Sequence, residues 1–251
     1  MARPTQIADP SVEVGILCAL ELEAAPIVRQ LGGRQKTIGS VFSVVRGTIS
    51  RRRVAVVRSD AGRSRVAVAA DALLTVHQPR WLIAAGFAVG VIDDVQRGQI
   101  VVAREVTNVD GEIFPADTKS AGAVDLAPNI KFGRLVSVPT APRTVAEKRQ
   151  LFAMTAAIAA DQHSLALAKL CGERGVRFLS IRVLVDDATA DAEPESKSVF
   201  HPSASYRAGG IVGAFLSGSG RAERVWKIRA AASRHATRLA EFLARLVPTL
   251  E

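Results

Sequence analysis

The stretch FLSIRVLVDDATADAEPE, Phe178 to Glu195, sets two carboxylates, Asp186 and Asp187, directly after an apolar run that reads as a buried strand. A carboxyl at that place can cap the turn that follows, since Asp is among the best capping residues. It can also serve as a proton donor. The second use needs a raised pKa, and apolar neighbours and an adjacent carboxylate both act in that direction. Such an acid protonates a leaving group, which is general acid catalysis.

Other residues with chemical potential also fall at the ends of strand-like runs. Glu21 and Glu23 follow VEVGILCAL, where first-turn helix charge accounts for both. Ser59, Gly62 and Arg63 follow RVAVV and could form part of an anion site, although Arg63 alone reads as surface charge. Gly86-Phe87-Ala88-Val89-Gly90 reads as a loop after a strand, with backbone N–H groups free to approach a sugar or anion. A tight strand-to-loop turn explains the same glycines. Gln162 and His163 open a helix after AAIAAD. The four histidines and the cysteines Cys18 and Cys171 show no zinc-ligand spacing, so no metal site is expected.

The elements that must position these residues alternate. VEVGILCAL, VFSVVRGTI, RVAVVRSD, RWLIAAGF, RGQIVVAREV, RLVSVPT, AAIAAD and FLSIRVLV read as strands. Between them, residues 21–31, 62–78, 144 to about 154 and 162–175 have helical spacing. Thr144-Val145-Ala146-Glu147 matches a capping box, and Gly175 closes the next helix. Arg51, Arg52 and Arg53 mark an exposed hairpin turn, and residues 110–134 read as an irregular loop. A short apolar helix is expected at 211–216, and SGSG precedes a final basic helix. Strand and helix in quick alternation imply one α/β domain with a mostly parallel sheet covered by helices. Ligands gather at the carboxyl ends of such strands. The segments 19–23, 59–63, 86–90 and 186–187 should therefore meet in one crevice.

The chain has 251 residues and a net charge of +9, with 48% hydrophobic residues. It is long enough to bury a substantial core. No run reaches the ~20 apolar residues of a membrane span, and no signal-peptide pattern opens the sequence, so a cytoplasmic location is expected. The cysteines read as buried free thiols. Basic residues cluster at 51–53 and along 221–251, but no stacking aromatics or nucleic-acid motif accompany them, and no nucleic-acid partner is expected. Trp226, Leu239, Phe242, Leu243 and Leu246 could form an apolar stripe that packs on the sheet, or an interfacial face that approaches anionic lipid.

The segments ILCALELEAAPI, SDAGRSRVAVAADALL, WLIAAGFAVGVIDDVQRGQIVVA, AIAADQHSLALAKLC and VRFLSIRVLVDDA, in this order, resemble the nucleoside phosphorylase and nucleosidase superfamily. The spacing is similar to the methylthioadenosine/S-adenosylhomocysteine nucleosidase branch. TVAEKRQL, the GFA segment and the tail with Trp226 are similar to the hopanoid-associated phosphorylases, which act on an adenosyl group attached to a hydrophobic polycycle. The resemblance implies a single-domain three-layer αβα fold spanning residues 1–251, with a mixed, largely parallel twisted sheet. It implies cleavage of the N-glycosidic bond of an adenosyl-type purine nucleoside, by water or phosphate and without a cofactor. Asp186 would protonate the base, and Glu23 would position the nucleophile. Gly86, Phe87, Ala88, Gln162, His163, Ser59, Gly62 and Arg63 would line the sugar and anion pocket. A homodimer or higher homo-oligomer is also implied.

The sequence departs from the family pattern in three places. Val185 precedes the acid where a small polar residue usually stands. Phe87 stands where many phosphorylases place a hydroxyl. Gln162-His163 replaces a Met-Glu pair that holds the ribose. A non-catalytic protein that binds a nucleoside or an adenosyl lipid is the alternative this last change raises.

Overall fold

The computed structural model describes residues 12–39, 42–59, 63–119, 129–200 and 219–251. The expected helix at 211–216 therefore lies outside the described residues. Ten strands form one mixed sheet: β1 Val14–Cys18, β2 Gly32–Ile38, β3 Ser43–Ile49, β4 Arg52–Arg58, β5 Trp81–Gly90, β6 Ile100–Thr107, β7 Ile113–Pro115, β8 Ile130–Ser137, β9 Ala159–Asp161 and β10 Arg177–Asp186. The helices are α1 Glu21–Arg29, α2 Arg63–His77, α3 Val145–Thr155, α4 Ser164–Arg174, α5 Ser196–Phe200 and α6 Ser219–Leu246.

Strand β5 is the junction of the sheet. At its start it pairs in parallel with β1 and β10, and at its end it pairs antiparallel with β9 through Val89 and Gly90. From β10 the pairing continues through β6 and β8 to β9, so these strands and β5 close into a circuit. The other edge runs β1, β4, β3, β2. The β3–β4 hairpin turns at Ser50 and Arg51, both at positive φ, as the arginine triplet led us to expect.

Side chains alternate across the strands into two cores, which makes the molecule three layers deep. Ile16, Val56, Ile83 and Ile181 pack with α1 and with Leu239, Phe242, Leu243 and Leu246 of α6. Leu17, Val57, Leu82 and Ala84 pack on the opposite face with α2 and α4. A Cβ at Gly15 would lie 2.7 Å from the Leu73 side chain, so this strand position is kept bare to let α2 close.

Three expectations are corrected. Strand β2 went unseen because GGRQKTI is exposed along its whole length and shows no apolar alternation. Residues 110–134 are not all loop: Ile113–Pro115 pairs with β6, and β8 begins at Ile130. Gly86–Gly90 is not a loop but the second half of β5, held in register by β10 along its length. Its backbone groups are largely committed to the sheet, which removes the expected nest of free N–H donors.

The apolar stripe of α6 divides. Its carboxyl-terminal part is buried on the sheet, whereas Trp226 stands 68% exposed. Phe242→Ala should cost about 3–5 kcal/mol through the cavity it leaves. Trp226→Ala should change stability by only about 0.5 kcal/mol or less. Urea unfolding of both variants checks this, and equal losses would refute the division.

Candidate active site

At the mouth of β10 the two acids separate. Asp187 accepts from the backbone N–H and hydroxyl of Thr189, at 3.2 and 2.6 Å, so it caps the turn. Burial pushes its pKa up, but the Thr189 bonds and the charges of Arg97 and Lys148 outweigh this and hold it below the usual value. Asp186 does something else. The β10–β5 register slips between Leu184 and Asp186, leaving Val185 as an extra residue. Such a bulge re-aims the side chain beside it, and Asp186 becomes part of a cavity wall.

The surroundings of Asp186 differ from those expected. Instead of apolar neighbours and a competing carboxylate, two cations hold it. Lys148 Nζ donates to Oδ2 at 2.9 Å, and Arg97 donates to Oδ1 at 3.0 Å. Lys148 is fully buried, and its ammonium also donates to the carbonyls of Asp187 at 2.6 Å and Ala190 at 2.8 Å. All three of its donors are therefore satisfied. Lys148 reaches the site because α3 starts where it does: Thr144 and Glu147 form the expected reciprocal cap. The orienting contact that Val185 cannot supply comes from this lysine, 38 residues away in sequence.

Glu23 occupies a second buried position. Its Oε2 accepts from the N–H groups of Ala19 at 2.9 Å and Leu20 at 2.8 Å, closing the start of α1. Its Oε1 accepts from the Phe87 N–H at 2.7 Å. Glu23 thus serves as helix charge at the start of α1 and is also bonded to β5. Burial raises its pKa above the ordinary 4.5, opposed by the Phe87, Leu20 and Ala19 N–H groups and by Arg182. Gly86 makes this arrangement possible. A Cβ there would lie 2.4 Å from Glu23 Oε1 and 2.9 Å from Arg182 Nη1.

Arg182 was not foreseen as a site residue, although an arginine inside an apolar strand was the signal. It is buried, ion-paired to Asp161 at 2.6 Å, and donates to Ser164 Oγ at 2.8 Å. Asp161 in turn accepts from Ser137 Oγ at 2.5 Å and from the Ser164 backbone and hydroxyl. This network caps α4 from Asp161, so His163 at the helix start makes no capping bond with its side chain.

A cavity of about 650 Å³ is lined by Asp186, Gln162, Val89 and Val185 from the strand ends, with residues of α5, α6 and the 140–143 segment. That volume suits a small molecule. Among the expected residues, Asp186 and Gln162 meet in this cavity. Gly86, Phe87 and Glu23 meet one another behind it, and Ala88 is buried in the core of the other face. Ser59 is buried against the Cys18 carbonyl and joins neither group. Gly62 and the Arg63 side chain lie outside the described residues. Phe87 packs edge-on to Phe200, with ring centroids 5.4 Å apart, and Phe200 lines the cavity.

Neither cysteine is a candidate nucleophile. Burial raises Cys18 strongly and pushes Cys171 up to about 12. Among the described residues, no group of three or more His, Cys, Asp or Glu could hold a metal ion.

The sequence model of the phosphorylase superfamily matches residues 13–217. The 5'-methylthioadenosine/S-adenosylhomocysteine nucleosidases of Shewanella halifaxensis and Shewanella oneidensis are 25% and 23% identical to this chain. The alignments cover 72% of this chain and 89% and 86% of those proteins. Among solved structures, the Helicobacter pylori 5'-methylthioadenosine/S-adenosylhomocysteine nucleosidase in complex with a pyrrolidine ligand has a TM-score of 0.73 at 16% identity. It covers 96% of this chain and 100% of that one. Futalosine hydrolase of the same organism has a TM-score of 0.72 at 17% identity, over 94% and 97% of the two chains. These structural likenesses lie in the fold.

The raised pKa of Glu23 has a measurable sign. Its contribution to stability is fully present below 4.5 and is lost as pH rises through its raised value. Wild-type protein should therefore lose stability relative to Glu23→Gln as pH climbs from 4.5 towards neutrality. A stability difference that stays constant over that range, measured by urea unfolding, would contradict the assignment.

Proposed function

The chain belongs to the phosphorylase superfamily, and we propose that it cleaves the N-glycosidic bond of an adenosyl-type purine nucleoside, by hydrolysis or phosphorolysis. The observation that carries this reading is Asp186, a strand-end carboxyl turned by a bulge onto the wall of a cavity of nucleoside size. The nucleosidases among its sequence relatives support the substrate class.

Breaking this bond leaves positive charge on the sugar and negative charge on the base. Protonation of a purine ring nitrogen as the base departs removes the second obstacle. In our scheme Asp186 gives its carboxyl proton to that nitrogen, and Lys148, donating to the far oxygen, stabilises the carboxylate that remains. Lys148 also pins the 187–190 turn, so the carboxyl does not swing away from the base. Glu23, its pKa raised by burial, takes the part of the base that positions the attacking water or phosphate. It is buried and accepts from the Phe87 N–H of β5. Gln162 faces the sugar from the cavity wall. No cofactor enters the scheme.

A second reading rests on two observations: both Asp186 oxygens are already bonded to cations, and His163 stands where the resemblance places the ribose-binding glutamate. In that case the protein binds a nucleoside without turning it over. Adenine or adenosine would then raise the melting temperature while no adenine is released.

Incubation with adenosyl nucleosides, with and without phosphate, followed by assay of free adenine, separates these readings. Adenine should appear, and phosphate dependence tells phosphorolysis from hydrolysis. Asp186→Asn should lower the rate by roughly 10²–10⁴-fold, the range for a lost general acid. An unchanged rate in that variant removes Asp186 from the mechanism.

A further inference from the structure

We propose that the nucleoside carries an anionic group, a carboxylate or phosphate, on the side of the sugar away from the base, and that Arg143, Lys197 and Arg234 receive it. The proposal rests on the nucleoside reading above and extends it to the substituent.

The cavity lining is strongly unbalanced in charge. Six cations, Arg97, Arg143, Lys197, Arg224, Lys227 and Arg234, face it against the carboxylates of Asp186 and Glu193. Those two acids are already matched. Arg97 lies 3.0 Å from Asp186 and 3.9 Å from Glu193, and the buried Lys148 adds a second cation at Asp186. Arg224 pairs with Glu195 at 2.9 Å, and Lys227 pairs with Glu223 one turn before it.

Three cations keep charge to spare, two of them in full. Arg143 donates to the Ser196 hydroxyl and to the carbonyls of Ala192 and Glu193, and the exposed Glu147 carboxylate, which accepts from its backbone N–H, cancels its charge only in part. Lys197 and Arg234 have no acidic partner among the described residues. The segment 201–218, which precedes α6, contains no Asp or Glu, so it brings no carboxylate of its own to neutralise them.

His235 senses the same excess. It lines the cavity, and its pKa is pushed below the ordinary 6.5 first by burial and then by Arg238, Arg234 and Arg97. A cleft of one sign between low-dielectric walls concentrates its potential on whatever enters. Guanidinium groups match a carboxylate or phosphate in both charge and shape. A wholly apolar substituent would instead strip water from these cations and return nothing.

The test uses two 5'-alkylthio adenosines of equal length, one ending in a carboxylate and the other in a primary amide. Wild-type protein should favour the carboxylate by about tenfold or more in kcat/KM, the ratio equivalent to about 1.4 kcal/mol. The preference should shrink as salt rises. In Lys197→Ala/Arg234→Ala, whose side chains are exposed and make no ion pair, the ratio should fall close to one.

Equal use of both compounds by wild-type protein, or preference for the amide, overturns the proposal while leaving N-glycosidic cleavage intact. So does stimulation of the amide compound by inorganic phosphate that vanishes in the double variant, because the cations would then serve a free co-substrate. If neither compound releases adenine, the nucleosidase reading fails on its own. The ratio of their affinities by calorimetry then decides the anion question.

Discussion

A buried ammonium has to be satisfied, and that requirement organises this molecule. Lys148 is 0% exposed, and a charge so placed is tolerated only with its partners in contact. Its three acceptors are Asp186 Oδ2 and the carbonyls of Asp187 and Ala190. They come together only if α3 lies against the carboxyl end of β10 and the chain turns back after the strand. The turn, the bulge and the direction of the Asp186 side chain follow from that single constraint.

A second polar layer runs deeper in the sheet. Arg182, Asp161, Ser164, Ser180 and Ser137 form a connected group that ties β10 to β8, β9 and the start of α4. Glu23 stands beside it across Gly86, held by three backbone N–H groups. Charge is thus stored on both sides of β5: an acid whose pKa burial raises on one side, and an acid bracketed by cations on the other. A bond whose cleavage makes opposite charges at its two ends suits such a division. The strands keep the two carboxyls apart because β5 has β1 beside its first half and β9 beside its last residues.

Much of the fold was legible because strands buried on both faces are nearly continuous apolar runs. Runs such as VEVGILCAL and FLSIRVLV could be little else. The capping box at Thr144 and the glycine after α4 were readable for a local reason: the bonds they make are within a few residues. The exposed strand β2 was illegible for the converse reason, since its place depends on backbone pairing with β3 and not on its own side chains. Gly86–Gly90 misled in the same way. Two glycines looked like a turn, but one of them is bare to admit Glu23 and Arg182, and the segment stays in the sheet.

The sequence alone determined which residue types stand at or just beyond the strand ends, Asp186, Asp187 and Glu23 among them, and that an α/β layer structure would hold them. It could assign Asp186 no partner, because Lys148 and Arg97 lie 38 and 89 residues away along the chain. Only the folded chain decided that Asp187 caps while Asp186 faces the cavity, and that cations replaced the expected apolar neighbours. It also decided which arginines of the last helix turn towards that cavity. The reason is one of range. Hydrophobic periodicity and capping act over a few residues, whereas the electrostatic environment of a carboxyl is set by whatever the topology brings within a few ångströms.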